Sequence, residues 1–230
     1  ALLDGRADLA VHSMKDVPTA LPQGIVQAAV LERANTVDIL VHKGNLDFFQ
    51  GEGTIATGSL RRQAQWLNKY PNHKVVDLRG NVNTRMQKLQ EGLWNGAVFA
   101  AAGLERINLK PSNFINLDWM IPAPAQGAMV IVAMANDEFC RDAAAELNDI
   151  ESEVCTHIER QFLKTLEGGC TAPIGALAVF IEDEIVFKGV LFSLDGKEKI
   201  EINKTVPLEE WKKLGYIAAK EILDNGGVSL

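Results

Sequence analysis

Two strand-to-helix turns in this chain place arginine where helices usually carry acid. In Thr57-Gly58-Ser59-Leu60-Arg61-Arg62, Ser59 is a natural N-cap, so Arg61 and Arg62 fall in the first helical turn. In Asp77-Leu78-Arg79-Gly80-Asn81-Val82-Asn83-Thr84-Arg85, Asn81 is the natural cap, with Arg79 just before it and Arg85 one turn inside. A cation at a helix N-terminus costs about 0.3–1 kcal/mol, because that end is already partially positive. Two such turns in succession suit an anionic ligand, gripped by backbone N–H groups, cap oxygens and guanidinium forks. The alternative is a solvated face paired with nearby acids. Few acids are nearby. From Thr54 to Arg106 eight basic residues face only Asp77, Glu91 and Glu105, a window of +5 in a chain whose net charge is −7. The rest of the chain therefore carries −12.

Two further segments hold reactive groups. His12-Ser13-Met14-Lys15-Asp16-Val17-Pro18 follows an apolar strand directly, which puts Lys15 and Asp16 at a strand end. Asp16 there is either a turn-capping residue or a cleft carboxylate for proton transfer and cation stabilisation; the local sequence leaves both open. In Leu166-Glu167-Gly168-Gly169-Cys170-Thr171-Ala172-Pro173, two glycines deliver a cysteine into a loop that a proline ends. An exposed loop thiol can be a nucleophile or an attachment point. His12, His42, His73 and His157 share no metal-binding spacing, and the three cysteines form no CxxC pair. A metal is not expected.

The elements that must position these groups follow from periodicity. Asp8 to His12, Ile25 to Val30 and Asp38 to Lys43 read as short apolar strands. From Thr54 the rhythm is strand (54–58), helix (59–70), strand (74–78), helix (81–93), strand (96–101), which predicts a parallel sheet with flanking helices. In that arrangement both arginine turns lie at the carboxyl edge of the strands, where open α/β sheets bind ligands. A Pro-rich crossing at 120–128 leads into the strand 129–134, and helices are expected over 137–147 and 151–166. Alternating strands with turns at Glu182-Asp183 and Asp195-Gly196 follow, then an amphipathic helix over about 208–223.

Composition sets limits. A chain of 230 residues with 47% hydrophobic residues can bury a sizeable core and is not disordered. No apolar run approaches the roughly 18 residues of a membrane span, and an acidic chain is a poor match for nucleic acid. Three unpaired cysteines suit a reducing, cytoplasmic compartment.

The motifs HSMKDVP, GSLRRQ, LRGNVNTR, AAGLERI, PAPAQGA and LEGGCTAPIGA occur in that order. Together they closely resemble the hydroxymethylbilane synthase (porphobilinogen deaminase) family, over essentially the whole chain. The resemblance implies an α/β fold: two periplasmic-binding-protein-like lobes, the first incomplete here, plus a C-terminal α+β domain with a small antiparallel sheet. It implies boundaries of 1–33 with 127–147 for the first domain, 34–124 for the second and 150–230 for the third. The implied activity is that of a transferase joining four porphobilinogen units head to tail into hydroxymethylbilane, with release of ammonia. Its dipyrromethane cofactor would be held through a thioether to Cys170, in a loop shaped by Gly168 and Gly169. Asp16 would be catalytic. Ser13, Lys15, Ser59, Arg61, Arg62, Arg79 and Arg85 would hold the cofactor, and Arg79, Arg85 and Arg106 the substrate carboxylates.

The expected partner is the small-molecule substrate alone, with no nucleic acid and no membrane, and the expected state is a monomer. The family usually has glycine where Ala125 stands, and often glutamate at Val132. It also begins with a further segment of several dozen residues, so a chain lacking that segment is expected to be poorly active. A rival from another class is a non-catalytic, periplasmic-binding-like anion-binding module, although such a module has no use for a thiol in a Gly-Gly loop.

Overall fold

The computed structural model describes residues 1–166 and 173–229. The chain opens with β1 (Leu9–Ser13), a 3-10 turn over Met14–Asp16, and β2 (Ile25–Val30). Next come β3 (Asp38–His42), β4 (Thr54–Ala56), α1 (Leu60–Lys69), β5 (Lys74–Val76), α2 (Val82–Glu91), β6 (Gly96–Ala100), the short α3 (Ala101–Glu105) and β7 (Phe114–Asn116). The chain then returns through β8 (Met129–Met134) and α4 (Glu138–Ala145). It ends in α5 (Ile150–Leu166), β9 (Ile174–Ile181), β10 (Glu184–Phe192), β11 (Lys199–Pro207) and α6 (Leu214–Asp224).

Three sheets organise these elements. The returning strand β8 lies between β1 and β2 and runs antiparallel to both. The second sheet has the order β5-β4-β6-β3-β7. Its β4 pairs in parallel with β5 and β6, as the alternating pattern predicts, but β3 runs antiparallel to both β6 and β7. The sheet is thus mixed, not parallel throughout. Periodicity reports which faces a strand buries and is silent on strand direction. The third sheet is the antiparallel meander β11-β10-β9, turned at Glu182 and Gly196 as expected. The fold is α/β followed by α+β with a small antiparallel sheet.

Each sheet has its own core. Val30, Val130 and Val132 pack with Met14 and Leu2 in the first. The second sheet is filled on its two faces by Ile39, Leu78, Leu89 and Leu104, and by Ile55, Trp66 and Leu117. In the third, Phe162 and Ile158 of α5 pack on Phe187 and Ile185 and against Ala218 and Ile222 of α6. Fully burying one such side chain is worth roughly 1.5–3 kcal/mol, so α5 is pinned firmly to the last sheet. Two crossing segments, 33–37 and 123–128, connect the first two units. Gly127 has φ +88° there, and a Cβ on it would collide with the Ala34 carbonyl, so the crossing needs glycine.

Candidate active site

Because β4 and β5 are parallel, α1 and α2 start side by side at one edge of the sheet. The expected caps are present: the Ser59 hydroxyl accepts from the Arg62 amide (3.4 Å) and the Asn81 side chain from the Thr84 amide (2.9 Å). The 3-10 turn that follows β1 brings Lys15 and Asp16 opposite these helix starts. Two adjoining cavities result. One, of about 370 Å³, is lined by Lys15, Asp16, Arg62, Asn81 and Arg85 among others. The other, of about 270 Å³, is lined by Lys15, Asp16, Ser59, Arg61, Arg62, Arg85 and Gln126 among others. Six of the expected site residues, Lys15, Asp16, Ser59, Arg61, Arg62 and Arg85, therefore meet in one cleft.

Beneath the cleft lies a residue that sequence reasoning missed. Asp38, fully buried at the start of β3, accepts from Arg61 Nη1 (2.7 Å) and from Arg62 Nε (3.0 Å) and Nη2 (2.7 Å). Burial pushes the Asp38 carboxyl up, but the two guanidinium groups outweigh it and hold it well below the ordinary aspartate value. A window read from Thr54 onward could not include this acid. The available signal was an aspartate heading an otherwise apolar strand, where a charge must be buried and hence paired.

Gln126, also fully buried, is the second omission. Its Nε2 donates to Asp38 Oδ1 (3.0 Å) and the Thr36 carbonyl (2.7 Å), and its Oε1 accepts from Lys15 Nζ (3.2 Å). Burial first, and then the nearby Arg62, bring the Lys15 ammonium down to about 8.

The remaining expected residues are placed differently. Arg79 is exposed and donates to Asp77 (2.9 Å), and it does not line either cavity. Arg106 donates to the Gly127 carbonyl (2.6 Å) at the crossing, also outside both cavities. Ser13 closes β1, one residue before the turn that carries Lys15 and Asp16. Gly168, Gly169 and Cys170 lie outside the described residues. Of the other two cysteines, Cys155 is buried, and burial pushes its thiol up to about 12. A hydrogen bond with Asp137 raises the Cys140 thiol. Neither resembles a reactive thiolate.

Residues 1–142 match the family model described as "Porphobilinogen deaminase, dipyromethane cofactor binding domain", and residues 154–224 match "Porphobilinogen deaminase, C-terminal domain". The chain belongs to the porphobilinogen deaminase family. It is 40% identical over 233 residues to the porphobilinogen deaminase of Rubrobacter xylanophilus, covering all of this chain and 76% of that protein. Identity to the porphobilinogen deaminase of Campylobacter jejuni is 39% over 236 residues, with the same coverage. Among solved structures, a VFT2 domain of Bordetella pertussis BvgS matches at a TM-score of 0.41 and 16% identity, covering 66% of each chain.

Membership of the porphobilinogen deaminase family brings a dipyrromethane cofactor, and the cleft suits its carboxylates. Arg61 Nε is buried and has no hydrogen-bond partner among the described residues. An orphaned guanidinium donor in a cavity wall is a site awaiting an acceptor. Among the described residues, four cations, Lys15, Arg61, Arg62 and Arg85, face two carboxylates, Asp16 and the buried Asp38. The donor set fits a polycarboxylate.

Proposed function

We propose that Asp16 is the catalytic acid and base of this porphobilinogen deaminase, and that Lys15, Ser59, Arg61, Arg62 and Arg85 hold the carboxylates of cofactor and substrate. The family's reaction joins porphobilinogen units head to tail and releases ammonia at each step, in tetrapyrrole biosynthesis. The bound dipyrromethane would supply the primer pyrrole and the nucleophilic carbon. What this chain's residues do follows from their chemistry. Asp16 gives a proton to the aminomethyl nitrogen of porphobilinogen, the carbon–nitrogen bond breaks, and ammonia leaves. The methylene-pyrrole cation formed is offset by the Asp16 carboxylate beside its N–H. After carbon–carbon bond formation the same carboxylate collects the proton lost from the ring. The arginines fix acetate and propionate arms so that the reacting carbons meet, which is where positioning supplies rate.

Ser13 joins this reading as a backbone neighbour of the acid, and Arg79 and Arg106 as outer contacts for a lengthening chain of carboxylates. Cys170, flanked by Gly168 and Gly169, is the proposed attachment point. The proposed domains are 1–33 with 127–147, 34–124 and 150–230. A monomer acting on the small-molecule substrate in the cytoplasm, without nucleic acid, completes the proposal. Among the described residues no helix is long and apolar enough to cross a membrane.

One observation supports the reading above all others: Lys15 and Asp16 share both cavities with Arg62 and Arg85. The test is Asp16→Ala in the holoenzyme. Product formation should fall by at least about a hundredfold, a typical worth for a positioned acid–base group, with the unfolding midpoint unchanged. Near-normal product formation would remove Asp16 from the mechanism.

A further inference from the structure

The acid turn is gripped from outside its own unit. Arg160 projects from the middle of α5, in the C-terminal part of the chain. Its Nη1 donates to the carbonyls of Met14 (3.1 Å) and Val17 (2.9 Å), and its Nη2 to the carbonyl of Pro18 (2.6 Å). Those three carbonyls bracket Lys15 and Asp16. From its own side the turn is held by Met14 N–H donating to the Ala128 carbonyl (3.0 Å), Val17 N–H to the Met14 carbonyl (3.2 Å), Lys15 Nζ to Gln126 Oε1 (3.2 Å), and the buried Met14 side chain. The neighbouring residue on α5, Glu159, reaches Arg33 and the backbone amide of Ala125 at the crossing. Successive residues of one helix thus clamp the crossing and the acid turn.

We propose that Arg160 is the positioning residue for Asp16, setting the acid's place in the cleft from α5 without itself touching substrate. The inference rests on the reading of Asp16 as the catalytic acid. A planar fork with donors on both arms can serve three carbonyls at once; a lysine ammonium is a point donor and would hold fewer. Because α5 is pinned to the last sheet by Phe162 and Ile158, the grip ties the acid turn to that C-terminal sheet.

The test compares Arg160→Ala, Arg160→Lys and Asp16→Asn in the holoenzyme by steady-state kinetics and by amide hydrogen exchange over residues 13–20. Misplacing a reacting group by about 1 Å costs on the order of a hundredfold. Arg160→Ala is therefore expected to lose about 10- to 100-fold in kcat with KM changed less than about threefold, since the carboxylate-binding arginines are untouched. Its exchange should quicken over 13–20 and stay unchanged over β9–β11. Arg160→Lys should recover part of the rate, and added guanidinium ion should restore activity to Arg160→Ala but not to Asp16→Asn. Wild-type kcat in Arg160→Ala beside an inactive Asp16→Asn overturns the positioning role alone. An active Asp16→Asn overturns the reading of the acid instead. Faster exchange across α5 and β9–β11 in both Arg160 variants makes the arginine a folding element and also overturns the proposal.

Discussion

Two fully buried carboxylates, Asp38 and Glu159, each accept four hydrogen bonds, yet they are built for different ends. Glu159 takes a bidentate pair from Arg33 (2.7 and 2.9 Å) and the amides of Ala125 (2.6 Å) and Ala178 (2.8 Å). One cation meets one anion, every oxygen is occupied by groups from three separate segments, and nothing is left over. Asp38 takes Arg61, both arms of Arg62, and Gln126. Here two cations share one anion, and Arg61 Nε has no acceptor among the described residues. The balanced cluster is a clasp between segments. The under-neutralised one is a rigid platform with a positive charge to spare, held ready before any ligand arrives. Preorganised charge of that kind needs little rearrangement when an anion binds.

The largest effects should come from removing either carboxylate. Taking away one partner of a buried pair typically costs 3–5 kcal/mol, because the other charge is stranded. Urea unfolding of Glu159→Gln and Asp38→Asn should show losses of about that size for both. The comparison sharpens when an anion is added. A ligand that binds only the folded state stabilises it by mass action. Millimolar phosphate should therefore raise the unfolding midpoint of Asp38→Asn, whose two stranded guanidiniums line the cleft, clearly more than that of Glu159→Gln. Equal responses from the two variants would show that the Asp38 cluster holds no surplus charge accessible to a ligand.

That contrast also marks where sequence reading succeeds and where it stops. Ser59 and Asn81 were legible as caps because capping is local, with each side chain meeting an amide three residues on. The crowding of arginine at those turns was legible for the same reason. The pairing of Arg61 and Arg62 was not. Asp38 reaches them only because β3 lies antiparallel to β6 in the second sheet, a long-range choice that hydrophobic alternation does not encode. Gln126 was hidden inside a motif noted for its prolines, and Arg160 inside an ordinary amphipathic helix. Both act through distant backbone or through a buried neighbour, so neither leaves a pattern at short spacing.

A smaller effect sits on the platform's rim. The Lys15 ammonium is lowered to about 8, chiefly by burial and next by Arg62. An unfolded lysine titrates near 10.4, so between about pH 8 and 10.4 the unfolded chain binds more protons than the folded one. Stability should therefore rise with pH across that window from this group, the penalty of burying the charge being complete below about pH 8. Unfolding free energies of the wild type and Lys15→Met should converge or diverge with pH only inside the window. A difference that stays flat from pH 7 to 10.5 would mean that Lys15 is not held in a cationic, desolvated niche, and the platform would be weaker than its geometry suggests.

The smallest expected effect tests the clasp. Ala125 donates its amide to Glu159 while sitting at φ +61°, a left-handed conformation that costs an L-residue roughly 1–2 kcal/mol. Glycine adopts it freely but gives up about 0.5–1 kcal/mol through the greater entropy of the unfolded chain. The balance for Ala125→Gly is a gain of between zero and about 1.5 kcal/mol, read as a modest rise in the unfolding midpoint. A Cβ that is fully buried also fills space, so the gain should fall toward the lower end. The sign separates two pictures of the clasp. If Glu159 fixes the Ala125 amide regardless of its side chain, the variant is equal to or more stable than the wild type. If the methyl is itself part of what holds the crossing in place, Ala125→Gly loses stability despite the relief of strain, and the clasp is as much a packing device as an electrostatic one.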